Sequence, residues 1–107
     1  MKLVDLTLLI LELSALIDSG AHEGTTIDDV EQHIADGDLF PWLAQRFSRL
    51  DLSLHRGRSD REINDGLNDI LGGYAGQERR KWGIENNGIC LLLSWTNELI
   101  QQRKFID

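Results

Sequence analysis

Leucine and isoleucine dominate the stretch from Leu3 to Ile17, and Asp5 and Glu12 are the only charges within it. Those two acids lie seven residues apart, so on a helix they share one narrow polar strip while apolar side chains cover most of the circumference. The uninterrupted run Leu8-Leu9-Ile10-Leu11 breaks the local alternation that would favour a strand. The pattern predicts a first helix, enclosed by its neighbours and closed by Asp18-Ser19-Gly20, with Gly20 as a left-handed cap. Thr26 opens a second helix as its cap, and Asp28 and Asp29 sit where the helix dipole favours negative charge. Ile27, Val30 and Ile34 then form an inward stripe at helical spacing, which turns Asp28, Asp29, Glu31 and Asp36 toward solvent. Gly37 ends that helix.

Asp38-Leu39-Phe40-Pro41 starts a third helix, with the proline in the first turn, where a missing N–H is tolerated. Leu39, Leu43, Phe47, Leu50 and Leu54 recur along its inner face, and Trp42 lies off that stripe. Ser59-Asp60-Arg61-Glu62 matches a capping box and opens a fourth helix. There Ile63, Leu67, Ile70 and Leu71 face inward and Gly72-Gly73 ends the element. Gly66 inside it costs about 1 kcal/mol against Ala. Tyr74 to Gly88 is the least regular region, with a short helix plausible around Gln77 to Trp82. A last, long helix is predicted from about Ile89 to Lys104, with Leu92, Trp95, Leu99 and Ile106 on its buried side. Asn-Gly is also a hairpin dipeptide, so the stretch from Ile84 to Ser94 has a hairpin as its alternative. The whole reads as one all-α domain over residues 1–107, a compact bundle of four to five helices around the Leu-rich first helix and the last one.

Charge changes this picture more than composition does. The chain carries 18 acidic and 11 basic residues, a net charge of −7. Residues 1–40 hold nine acids and one base, or −8, and residues 41–107 hold nine acids and ten bases, or +1, so the excess lies wholly in the first part. Asp18 to Asp38 is its centre, with Asp18, Glu23, Asp28, Asp29, Glu31, Asp36 and Asp38 and no Lys or Arg. Such a field repels nucleic acid and anionic membrane and steers basic partners toward it. The single Cys90 excludes an intramolecular disulfide and a cysteine zinc site, and its apolar neighbours predict a buried, inert thiol. A reducing, cytoplasmic location fits. The charged interruptions at the N-terminus make it core rather than signal peptide or membrane span.

No reaction signature is present. The chain has no phosphate loop, dinucleotide fingerprint, nucleophile elbow or His-Glu-x-x-His. Its three histidines are His22, His33 and His55. Asp29, His33 and Asp36 lie at i, i+4 and i+7 and are the one set spaced to share a metal, but a solvated helix face explains them more simply, so no metal or cofactor is expected. Arg79-Arg80-Lys81-Trp82 has the residue types that grip phosphate and stack a base. The bases of that half only neutralise its own acids, which argues against direct nucleic-acid binding.

What remains is a carboxylate surface for a basic protein. Asp18, Glu23, Asp28, Asp29, Glu31, Asp36 and Asp38 would steer it, and Phe40 and Trp42 would serve as apolar anchors. In general character (small, acidic, helical and lacking catalytic groups) the chain resembles bacterial immunity proteins, on the acidic segment Asp18–Asp38 leading into Leu39-Phe40-Pro41-Trp42. Those proteins are the cognate inhibitors of toxic nucleases in bacteriocin and contact-dependent-inhibition systems. The resemblance implies a one-to-one complex with a toxin domain, with substrate access occluded and no reaction run. The alternative is a helical adaptor or oligomerising structural protein that docks through exposed apolar helix surface. Free, the chain is expected as a monomer or dimer.

Overall fold

The computed structural model describes residues 1–49, 60–73, 87–103 and 105. Its described residues form five helices and no strands: α1 (Leu3–Asp18), α2 (Ile27–Asp36), α3 (Leu39–Arg46), α4 (Asp60–Gly73) and α5 (Gly88–Gln101). The protein is an all-α bundle. Leu50, Leu54, the Ser59 half of the capping box, the Tyr74–Asn86 stretch with its basic cluster, and Ile106 lie outside the described residues. Among those described, no helix is long and apolar enough to cross a membrane.

Local signals in the chain account for most helix ends. Thr26 Oγ1 accepts a hydrogen bond from the Asp29 amide at 3.1 Å, satisfying one of the free N–H groups at the start of α2. Gly37, at φ 78°, takes the left-handed conformation that ends α2. Asn87 caps α5, its side-chain oxygen accepting from the amides of Ile89 at 2.8 Å and Cys90 at 3.3 Å. Residues 87–101 therefore open a helix and not a hairpin. The reason is local: the Asn carboxamide satisfies two amides that a hairpin would have to pair across strands.

The α1–α5 pair is the most extensive helix contact, and α2 and α4 pack on other sides of α5. Ile89, Leu91, Leu92, Trp95, Thr96 and Leu99 are all buried, so α5 turns a broad apolar face to its neighbours and leaves a polar edge at Ser94, Asn97 and Glu98. Full burial of each such Leu or Ile contributes about 1.5–3 kcal/mol. Cys90 lies at the edge of this set, half-buried and not fully enclosed.

Leu6, Leu9, Leu13 and Leu16 of α1 are fully buried against the core. The opposite side is open: Val4, Leu8 and Leu11 are 58%, 46% and 60% exposed. The first helix is thus covered on one face, not surrounded as its composition predicts.

Two glycines permit the central packing. Gly66 of α4 is buried where a Cβ would lie 3.2 Å from Leu99 Cδ2 and 3.1 Å from the Met1 side chain. The helix-weakening glycine is the residue that lets α4 approach α5. Gly88, the first residue of α5, is tighter. A Cβ there would overlap the Thr26 carbonyl and come within 2.6 Å of Val30 Cγ2. In place of that Cβ, the Gly88 N–H donates to the Thr25 carbonyl at 2.8 Å, and Asn87 Nδ2 donates to the His22 carbonyl at 2.9 Å. Further along, Asn64 of α4 donates to the Ile34 carbonyl at 2.9 Å, so the C-terminal turn of α2 is held from α4.

Gly88→Ala is expected to lower unfolding stability by about 2–4 kcal/mol, because the obstacle is largely backbone and cannot step aside as a flexible side chain would. Urea denaturation measures it. A loss below about 0.5 kcal/mol would mean that the close approach of α5 to Thr26 is not needed.

Candidate functional site

The acidic segment begins at the C-terminal end of α1, follows the loop that holds α5, and runs along α2 into α3. Asp18, Glu23, Asp28, Asp29 and Asp36 are exposed and Asp38 is half-buried. On α2, Asp28, Asp29 and Asp36 fall on the face opposite Val30 and Ile34, as helical spacing requires. Among the described residues, the carboxylates of Asp18, Glu23, Asp28 and Asp29 have no hydrogen-bond or ion-pair partner. Asp36 accepts from Gln32 Nε2 at 3.0 Å, one turn away.

Two residues of the predicted binding set are placed elsewhere. Glu31 is buried, at 8% exposure, where the stripe of Ile27, Val30 and Ile34 predicts a solvent-facing side chain. It lies four residues after Ile27 and three before Ile34, so the periodicity of the stripe carries it inward. Phe40, at 4% exposure, is a core residue and not a surface anchor. It shares the inner side of α3 with Leu39, Leu43 and Phe47, all buried, at spacings of one, three and seven residues.

Trp42 remains half-buried and becomes the centre of a polar-aromatic group at the α2–α3 corner. The His33 ring stacks on it with centroids 4.3 Å apart and planes 14° from parallel. His33 Nδ1 hydrogen-bonds to Asp38 Oδ1 at 2.9 Å, which fixes the imidazole against the indole. The Arg46 guanidinium lies 6.0 Å from the Trp42 ring centroid and 5.6 Å from that of Phe47. Arg46 Nε also donates to Thr25 Oγ1 at 2.9 Å.

Arg46 is the first base after Lys2. Its charge is directed across α3 at Thr25 and the aromatic rings, so it pairs with none of the exposed carboxylates. Neither this role nor the His33–Asp38 pair follows from the hydrophobic pattern. The i, i+4 spacing of Trp42 and Arg46 is the one signal that points to the former. The Asp29, His33 and Asp36 set does not converge: His33 faces Asp38, and Asp36 faces Gln32. Among the described residues, no three His, Cys, Asp or Glu side chains are grouped to hold a metal ion.

The chain matches no family model, no curated protein and no solved structure. Chemistry and geometry alone carry the functional reading.

A second concentration of acid lies where α1 meets the start of α4. Burial, with Asp5 nearby, pushes the Asp60 carboxyl up to about 6 from an ordinary value of 3.8. Burial also raises Glu12, and Asp60 adds to the effect. Both groups are partly solvated, and both favour the protonated form more in the folded chain than in the unfolded one. Folding therefore takes up protons between pH 3.8 and 6 at Asp60, and stability falls as pH rises through that window. Asp60→Asn is expected to flatten the dependence of the urea midpoint on pH between about 4 and 6. An unchanged slope in that variant would contradict the assignment.

Proposed function

We propose that the chain is a binding protein that neutralises a basic protein partner, in the manner of an immunity protein that occludes the active site of a cognate toxin nuclease. It runs no reaction of its own and needs no cofactor. The observation that carries this reading is the unused charge of the acidic segment. Asp18, Glu23, Asp28 and Asp29 stand on the surface with no side-chain partner among the described residues, and Arg46, the first base after the segment, hydrogen-bonds to Thr25. Carboxylates kept together without counter-charge repel one another, at a cost that a purely structural surface has no need to bear. A cationic nucleic-acid cleft meets such a surface with complementary potential, and attraction of this kind raises the association rate more than the final affinity.

Anchoring falls to Trp42, since Phe40 is enclosed. Trp42 presents a half-exposed indole whose orientation is already set by His33 and Arg46, so little side-chain freedom is lost on binding. The cytoplasm, where a lone thiol such as Cys90 stays reduced, is the compartment this reading implies.

Affinity capture from the native host is expected to bring down one basic protein in stoichiometric amount. Stopped-flow association of that protein with a variant carrying Asp28→Lys, Asp29→Lys and Asp36→Lys is expected to be slower by about tenfold or more at low salt, with a flatter salt dependence. Unchanged association kinetics in the triple variant would sink the proposal.

A further inference from the structure

Val4, Leu8 and Leu11 are all of the exposed large hydrophobic residues among those described, and all three lie on α1. With exposed Ala15 they recur at spacings of four, three and four, the alternation of a helix–helix seam. This row lies opposite the fully buried Leu6, Leu9, Leu13 and Leu16. It extends over about three turns in the interior of the helix, so it is a continuous ridge and not a scatter of single residues.

Charge along the edge of the ridge selects what can lie on it. Asp5 and Glu12 border one side, both half-buried, while Thr7 and Ser14 border the other. Asp18 continues the row about one turn beyond Ala15. Residues 3–45 contain no Lys or Arg. A second copy of α1 laid antiparallel on the first would set Asp5 and Glu12 against the same residues of its partner, and like charges so placed are destabilising. Any self-pairing also brings together two N-terminal segments of charge −8. A basic flank meets the opposite situation. Glu12 is partly desolvated and lies near Asp60, so a cation from outside gains more there than at a fully solvated carboxylate.

We infer that the outer face of α1 is a docking surface for an amphipathic helix of a partner protein, one with an apolar seam and Lys or Arg along the flank that meets Glu12. A ridge of three to four side chains buries less than the roughly 800 Å² per partner of a standard stable interface, so the contact is a weak, reversible one. The inference is independent of the acidic front: it requires α1 and not the outer carboxylates of α2.

The probe is a synthetic three-heptad peptide with Leu at the seam positions and Lys at the flanking ones, titrated into the isotope-labelled full chain. Methyl resonances of Val4, Leu8 and Leu11 are expected to shift. A twin peptide with Glu in place of Lys is expected to bind at least tenfold more weakly. Leu8→Gln with Leu11→Gln is expected to lower affinity for the Lys peptide at least tenfold while leaving the circular dichroism unchanged, since both positions are exposed. Asp28→Lys with Asp29→Lys and Asp36→Lys is expected to leave that affinity within about twofold, which separates this surface from the acidic front. Perturbation centred on α2, affinity indifferent to the Leu8 and Leu11 substitutions, or a concentration-dependent homodimer that covers these methyls would each overturn the inference.

Discussion

The structure depends on one close approach, that of the first residue of α5 to the backbone of Thr25 and Thr26. A hydrogen-bonded contact that leaves no room for a Cβ fixes where the most enclosed helix begins. Three elements are tied there. The Thr25 carbonyl accepts from Gly88, the Thr25 hydroxyl accepts from Arg46, and the Thr26 hydroxyl caps α2. Thr25 is itself buried, so the two bonds that its own oxygens accept are shielded from bulk water, where losing a partner costs more than the bond contributes net. The loop between α1 and α2 is therefore a joint, although its sequence reads as a polar connection.

That joint also decides what the acidic segment can be. The backbone of the segment is used for packing: its carbonyls at His22 and Thr25 receive α5, and its apolar residues Val30 and Ile34 fill the core. Its carboxylates point the other way. Only Glu31 turns inward, and among the described residues only Asp36 and Asp38 of the outer ones have side-chain hydrogen-bond partners. One stretch of chain thus does two jobs with two sets of groups, and changes to the outer set need not disturb the inner one. The same division appears on α1, where one row of leucines builds the core and the opposite row faces solvent.

The helices were largely legible because their signals are local. Thr26 and Asn87 cap through groups two or three residues away, and Gly37 ends α2 by its own φ. The inward stripes of α2, α4 and α5 follow from spacing alone. What spacing could not resolve is which side of an apolar helix is covered, since that depends on how many neighbours arrive. Hence α1 reads as enclosed and is half open, while α5 carries the deeper burial. Position at the edge of a stripe is likewise ambiguous in the pattern. Glu31 and Phe40 adjoin the inward residues Val30 and Leu39, and their own helical spacing to the rest of each stripe carries both inside. The Arg46–Thr25 bond spans 21 residues and is not encoded in any local pattern. The site was legible as a charge distribution but not as a set of contacts.

The central claim is that the outer carboxylates are not needed by the fold. Urea denaturation of a variant with Asp18→Asn, Glu23→Gln, Asp28→Asn and Asp29→Asn tests it directly. Relief of mutual repulsion and loss of the favourable dipole contacts of Asp28 and Asp29 are of similar size and opposite sign, so stability is expected to stay within about 1 kcal/mol of the parent. A loss of more than about 3 kcal/mol, well beyond what capping-turn charges supply, would show instead that these acids hold the structure together.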